Sequence, residues 1–396
     1  MIEIANAYEC CGCNGCVQIC PKSCITMVDD REGFWYPKVD KSKCIECQLC
    51  KKVCPIIQEK HHLKETNTEQ KQTLAVYGGW HKNSEIRRLS SSGGVFTLLA
   101  EYILSQDGIV FGARTDKNLK VSHIGITNTK DLNKLRRSKY VQSDIGQTYT
   151  AVKNALIKGQ LVLFVGAPCQ TAGLQCFLNK DYSNLYTCDF ICHGVPSPLV
   201  FSKYVNYLEK KNKDSIIGFS FRNKHKGWNQ IGLQMGTVVK FRSGQFKEYM
   251  PAYRDYFMSG FLSDIYLRPA CYKCMFKSKD KRHADITMAD FWGVKKYYPE
   301  LDDKNGTSLL LLNSTKAEEL FKHVKDNFHY KECEFDKALE RNPSLWKSAK
   351  EPKRRIQFYT DLEQYPFQYV MIKHMTGLRW LIEKVFGMLQ TKLRKG

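Results

Sequence analysis

Two stretches of this chain, "CCGCNGCVQICP" and "CIECQLCKKVCP", repeat one spacing: three cysteines separated by two residues each, a fourth after three more, then proline. They supply Cys10, Cys13, Cys16 and Cys20 from the first run and Cys44, Cys47, Cys50 and Cys54 from the second. No other feature restricts the fold as strongly. Three thiolates so spaced wrap three corners of a [4Fe-4S] cubane, and the fourth cysteine of each run crosses to the other cluster. The spacing therefore predicts Cys10, Cys13, Cys16 and Cys54 around one centre. Cys44, Cys47, Cys50 and Cys20 surround the second. Zinc ribbons use paired C-x2-C knuckles rather than triplets ending in Cys-Pro. Cys11 and Cys24 fall outside the repeat and read as small packing residues.

The chain has 17 cysteines in 396 residues. Its opening "MIEIANAYEC" lacks a basic segment followed by an apolar one, so no secretory signal is expected. In a reducing cytoplasm, clustered cysteines read as metal ligands rather than disulfides. No apolar run approaches the ~18 residues of a membrane span. The length suggests two or three domains. Residues 1–58 form the ferredoxin-type unit. Residues 59–73, "EKHHLKETNTEQKQT", are polar and read as a linker. Residues 74–350 form the main body and 351–396 a basic helical tail. In the body, "GIVFGA" (108–113) and "QLVLFVG" (160–166) read as buried strands, and "GGVFTLLAEYILSQ" and "TAGLQCFLNK" as helices. The expected fold class is α+β or α/β, a dicluster ferredoxin fold joined to a mixed α/β domain. Residues 216–250 read as antiparallel hairpins.

A second set of thiols lies in the body. Cys169 follows a buried strand and precedes a helix, where a helix start favours thiolate. Cys192 follows a second strand in "LYTCDFICHGVPSP". Such strand ends gather at one edge of an α/β sheet, where they would meet Cys271 and Cys274 of "CYKC". Four thiolates from Cys169, Cys192, Cys271 and Cys274 suit zinc or a third cubane, and spacing alone leaves both open. Cys188 sits within the strand, Cys176 reads as a core residue of a helix, and Cys333 carries no motif.

Five motifs occur in order: "SSSGGVFTLLA" (90–100), "SKYVQSDIG" (138–146), "VLFVGAPCQTAGL" (162–174), "DFICHGVPSP" (189–198) and "CYKCMFKSKDKRHADITMADFWG" (271–293). Over roughly residues 1–345 the chain resembles the coenzyme F420 hydrogenase/dehydrogenase beta-subunit family fused to an N-terminal dicluster ferredoxin. The resemblance implies FAD in the body and a third [4Fe-4S] cluster at Cys169, Cys192, Cys271 and Cys274. The family includes F420-reducing subunits, chlorophyll-precursor reductases and members beside polysaccharide-synthesis genes, so it names no substrate. It also assigns Ser92, Gly93 and Gly94 to close approach of a flavin, although a Ser N-cap with a Gly turn fits the same residues. In "SKYVQS", Lys139 suits a phosphate or the flavin edge, Tyr140 a stack, and Gln142 and Ser143 hydrogen bonds; the alternative is a solvated loop. His193 offers a proton near the flavin or a hydrogen bond to a cluster, or else a structural role.

The formal charge is +21 with a pI near 9.2. Three anionic clusters and a flavin pyrophosphate reduce it to roughly +13, and no nucleic-acid fold signature is present. "FRNKHKGW" (221–228) reads as a charged hairpin tip. In the tail, Leu378, Leu381, Ile382, Val385, Phe386 and Leu389 share a helical face opposite lysines and arginines. Such a helix suits an anionic membrane face or docking on the protein's own core. The expected protein is an FAD- and iron–sulfur-dependent oxidoreductase, cytoplasmic or peripheral at the inner membrane face. A ferredoxin or partner subunit exchanges electrons with it, and its organic substrate is unassigned. The alternatives are a non-catalytic electron-transfer subunit and a zinc-stapled binding protein. A G-x-G-x-x-G nicotinamide fingerprint is missing.

Overall fold

A computed structural model of the chain describes residues 1–4, 6–62, 72–224, 227–228, 236–250 and 254–375. The first strands, β1 (Ile25–Asp29) and β2 (Trp35–Val39), form an antiparallel hairpin between the two cysteine runs. Its turn is closed by Asp30, whose Oδ1 accepts the N–H groups of Glu32 and Phe34 at 2.9 and 2.8 Å.

The body is built on a sheet of eight strands: β3 (Ala75–His81), β4 (Ile109–Thr115), β5 (Val121–Ile126), β6 (Val162–Val165), β7 (Leu185–Phe190), and three that come later in the chain. Before those three, β8 (Ile216–Asn223), β9 (Gly236–Phe241) and β10 (Phe246–Tyr249) make a separate antiparallel sheet, as the hairpin pattern predicts. The body sheet is completed by β11 (Ile286–Asp290), β12 (Ser308–Leu312) and β13 (Phe328–Glu332). Its order is β13-β3-β12-β11-β7-β6-β4-β5. The four central strands β11, β7, β6 and β4 run parallel; the flanking pairs are antiparallel. Strands covered on both faces need apolar runs instead of alternation: "VLFV" in parallel β6 and "SLLLL" in antiparallel β12 are buried at every position.

Helices Val95–Ser105 and Pro168–Leu178 follow β3 and β6. A second core joins helix Pro198–Asn212 to the β8–β10 sheet through Tyr204, Phe257, Phe358 and Phe367. Helices Arg355–Gln364 and Phe367–Met375, in the segment assigned to the tail, are part of this core. The amphipathic helix expected beyond residue 375 and the tip residues 225–226 lie outside the described residues. Among the described residues no helix is long and apolar enough to cross a membrane.

His123 of β5 shows how burial sets a charge state. Its Nε2 contacts the Val165 carbonyl at 3.1 Å, its ring stacks on Phe164, and its Nδ1 is buried without a partner. Desolvation lowers its pKa from 6.5 to about 4. The fold holds a neutral ring while the unfolded chain takes up a proton below about 6.5. Stability should therefore fall as pH drops from about 6.5 towards about 4, by about 3 kcal/mol in total. Unfolding midpoints across that window should show this slope in the native chain and lose it in His123→Gln.

Candidate functional site

The two N-terminal cysteine runs fold alike. Gly12 and Asn14 in the first have φ of 70° and 65°, and Glu46 and Gln48, at the same places in the second, have 53° and 61°. Left-handed residues alternating through a short loop turn N–H groups inward, a concavity suited to anionic groups including iron–sulfur centres. Short helices Gly15–Gln18 and Leu49–Lys52 then carry Cys16 and Cys50, both buried. The thiols of Cys13, Cys16 and Cys54 interact electrostatically, as does Cys10 with Cys16 and Cys54. The crossing cysteine thus sits with the three it was assigned to. In the second group Cys20 and Cys24 approach to 3.3 Å between sulfurs, Cys24 also faces Cys44, and Cys20, Cys44 and Cys50 pack in one cluster. Cys47 is exposed.

The third set gathers at the carboxyl ends of two neighbouring parallel strands. β6 leads into helix Pro168–Leu178, whose second residue is Cys169, and β7 leads to Cys192. Cys271 lies in the short helix Pro269–Tyr272, where its thiol accepts the Val195 N–H at 3.4 Å. The Cys274 N–H donates to Ser348 Oγ at 3.1 Å. Electrostatic contacts join Cys169 to Cys192 and Cys274, and Cys271 to Cys192 and Cys274. Burial, then neighbouring thiolates, pushes Cys192 up to about 12, and Cys271 and Cys274 up to about 11. Metal ligands must shed those protons. The first and third sets each bring four buried or half-buried thiols towards one another, a donor chemistry that fits iron–sulfur clusters. Cys47 of the second set stands apart, and among the described residues no three such donors converge as closely as a single metal ion needs. Cys188 and Cys333 are buried packing residues elsewhere.

The first and third sets are in contact. Cys11, read from sequence as a packing residue, lies within hydrogen-bonding reach of both Cys13 and Cys169. A Cβ added at Gly173 would stand 3.2 Å from the Cys13 sulfur, so the Cys169 helix packs directly on the first loop. Tyr149 ties this junction by donating its hydroxyl to the Gln170 carbonyl at 2.7 Å.

Arg268, three residues before Cys271, escaped the sequence reading. It is fully buried. Its Nε donates to the Cys10 carbonyl at 2.7 Å, and its two terminal nitrogens donate to Gln142 Oε1 at 3.0 Å and the Trp35 carbonyl at 2.9 Å. Its guanidinium carbon stands 4.4 Å from the Tyr36 ring. The only signal for it in the sequence is its place beside C-x2-C. Gly12 is fixed by this arrangement: a Cβ there would meet Gln142 Nε2 at 2.4 Å and an Arg268 nitrogen at 2.9 Å. Gly12→Ala should therefore destabilise the protein by more than the about 1–2 kcal/mol of its left-handed backbone alone. A lowered unfolding midpoint accompanied by loss of iron would register it.

The residues expected to meet a flavin find partners within the protein. Ser92 Oγ donates to the Thr307 carbonyl at 2.8 Å, and the Gly93 N–H to Ser308 Oγ at 2.8 Å. A Cβ at Gly93 would lie 2.3 Å from the Gly79 carbonyl, so that glycine lets the helix start pack against β3. Gly94 opens helix Val95–Ser105 with φ of 98°. Lys139 Nζ donates to the Leu135 and Arg136 carbonyls at 2.7 and 2.6 Å, and burial lowers its pKa to about 7. Tyr140 stacks on Phe261 at 4.8 Å. Gln142 serves Arg268, and Ser143 Oγ accepts from Gln170 Nε2 at 3.0 Å. His193 Nε2 meets Asp264 Oδ1 at 2.5 Å, and its ring lies edge-on to Phe261. Asp290 pairs with Arg222, and Trp292 stacks on Trp228 at 5.0 Å. Asp285 accepts from the Thr187 N–H and hydroxyl at 2.9 and 2.7 Å, a packing role.

Known proteins place this architecture. The profile of the coenzyme F420 hydrogenase/dehydrogenase beta subunit matches residues 76–148 with its N-terminal part and 159–338 with its C-terminal part. The coenzyme F420-dependent sulfite reductase of Methanocaldococcus jannaschii is 24% identical over 360 residues, covering 89% of this chain and 52% of the relative. The chain thus spans about half the length of that curated relative. A chain in the F420-reducing [NiFe] hydrogenase complex from Methanosarcina barkeri shows 19% identity and a TM-score of 0.44, over 66% of this chain and 83% of that one. The two profile matches together take in well over half of the sequence, and the chain belongs to the coenzyme F420 hydrogenase/dehydrogenase beta-subunit family.

Proposed function

We propose that the chain is an iron–sulfur electron-transfer protein linking one-electron donors to a deazaflavin of the F420 type. The observation that carries this reading is the contact between the first and third thiol sets, made by Cys11 and by Gly173 against Cys13. Clusters held by these thiols would supply single-electron exchange. The chain's own contribution is to keep the sites adjacent and the thiols buried, with the N-terminal unit seated on the strand ends. Ile56, just after Cys54, packs with Ala172 of the Cys169 helix and with Phe276 after Cys274. Support for the deazaflavin comes from the family and from the coenzyme F420-dependent sulfite reductase relative.

The family is described as a beta subunit, which favours a role as one part of a larger redox assembly. In that setting a partner subunit or ferredoxin meets the N-terminal unit. FAD belongs to the proposal through the family resemblance alone, and flavin fluorescence after denaturation tests it. The main reading is tested by mixing the anaerobically reduced chain with oxidised F420 and following deazaflavin absorbance. Bleaching at one F420 per two electrons is expected. Electron exchange with a viologen but none with F420 would leave the carrier and remove its partner.

A further inference from the structure

Four other described arginines are buried: Arg87 pairs with Asp303, Arg222 with Asp290 and Arg355 with Glu32, while Arg282 donates to backbone carbonyls with Asp189 and Asp280 as the charges it faces. Arg268 differs. It is fully buried, and its hydrogen bonds end on two backbone carbonyls and an amide oxygen. The groups its charge faces most strongly are the Cys10 thiol, the Tyr36 phenol and the thiols of Cys11 and Cys271, and among the described residues no carboxylate forms an ion pair with it. An uncompensated buried cation costs several kcal/mol. A fold that retains one has an anion for it. The position names that anion, because Arg268 touches Cys10 of the first set and stands one turn before Cys271 of the third.

We propose that Arg268 is the counter-charge shared by the two clusters it stands between, and that it holds their reduction potentials above that of the outer centre at Cys20, Cys44, Cys47 and Cys50. This rests on the cluster reading above. Each electron added makes a cluster one unit more negative, so a fixed cation in a low-dielectric site favours the reduced form. The thiols that Arg268 faces most strongly are those of Cys10, Cys11 and Cys271, none of them in the outer set. Electrons entering at the outer centre would then run downhill to the inner pair. Arg268 is a positioning residue in this account, acting through the clusters.

The test is EPR-monitored potentiometry on the full chain, purified anaerobically, with iron counted in each sample. Arg268→Gln should move the two inner midpoints to more negative values by at least about tenfold in the reduction equilibrium, about 59 mV for one electron. The outer midpoint should stay in place. Arg268→Lys, which keeps the charge, should hold all three near the native values. Should Arg268→Gln lose iron, Gln142→Glu decides, since it sets a carboxylate against the guanidinium in an almost unchanged shape. It should shift the same two midpoints in the same direction. Full iron with unmoved inner midpoints, or an outer midpoint that moves as far as the inner ones, overturns the proposal while leaving the clusters standing. Native protein with fewer than about twelve irons would instead count against the cluster reading beneath it.

Discussion

Cys271→Ser is expected to remove about four of about twelve irons and to cut electron delivery to a two-electron acceptor by at least about 100-fold, more than the loss typical of outer-sphere changes. Cys271 is held from three directions. Its N–H donates to the Arg268 carbonyl, its thiol accepts from Val195, and a Cβ on Gly194 would come within 3.3 Å of its own Cβ. Cys188 cannot swing in as a substitute, because it is locked in the centre of β7. Cys11, which packs with Cys169 and Cys274, is the neighbour to remove alongside in a Cys11→Ala control. The N-terminal centres draw on other cysteines, so reduction by dithionite should still show two clusters. Cys271→Ala, which offers no oxygen in place of sulfur, should behave the same way. Cys333→Ser, far from all three sets in the β3 and β12 core, should keep every iron. A Cys271→Ser protein with its full iron content would break the ligand assignment.

Glu32→Gln should cost about 3–5 kcal/mol of folding stability. Glu32 and Arg355 form a two-pronged pair, with Arg355 Nη1 at 2.7 Å from Glu32 Oε1, and both residues are buried. The same guanidinium donates to the Leu267 carbonyl at 3.2 Å, and the Ser197 hydroxyl donates to the Glu32 carbonyl. The pair therefore ties the β1–β2 turn to the C-terminal helix Arg355–Gln364 and to the segment that presents Arg268 and Cys271. Removing one partner strands a charge away from water, which is the source of the large cost. Replacing both, as in Glu32→Leu with Arg355→Met, should recover most of the loss. Denaturant unfolding of the single and double variants measures both effects. A Glu32→Gln midpoint equal to the native one would show that the pair carries no such weight.

How much of this was readable in advance depends on how local each determinant is. The N-terminal ligand sets were legible because a cubane's reach is written into spacings of two and three residues. The third set needed one more inference, that chain segments after β6 and β7 emerge at one sheet edge. Its partners Cys271 and Cys274 had to be matched across more than seventy residues. Cys11 packs as its place outside the repeat suggested, but its partners could not be read from register, because they include Cys169 on a distant helix. Arg268 lay in plain view, but its meaning depends on Cys10, Trp35 and Gln142, each more than a hundred residues away in sequence. "SSSGG" illustrates the opposite risk. Glycines that suit a ligand suit a backbone equally well, and here Gly93 makes room for the Gly79 carbonyl. The antiparallel edges of the sheet had no short-range signal, since β3 pairs with β12 and β13 from the far end of the chain.

The most direct test of the central claim is the content of iron, acid-labile sulfide and zinc in the chain purified without oxygen. Three clusters on the three thiol sets predict about twelve irons and about twelve sulfides per chain, with no zinc. About eight irons with one zinc would place zinc at Cys169, Cys192, Cys271 and Cys274 and contradict the proposed path.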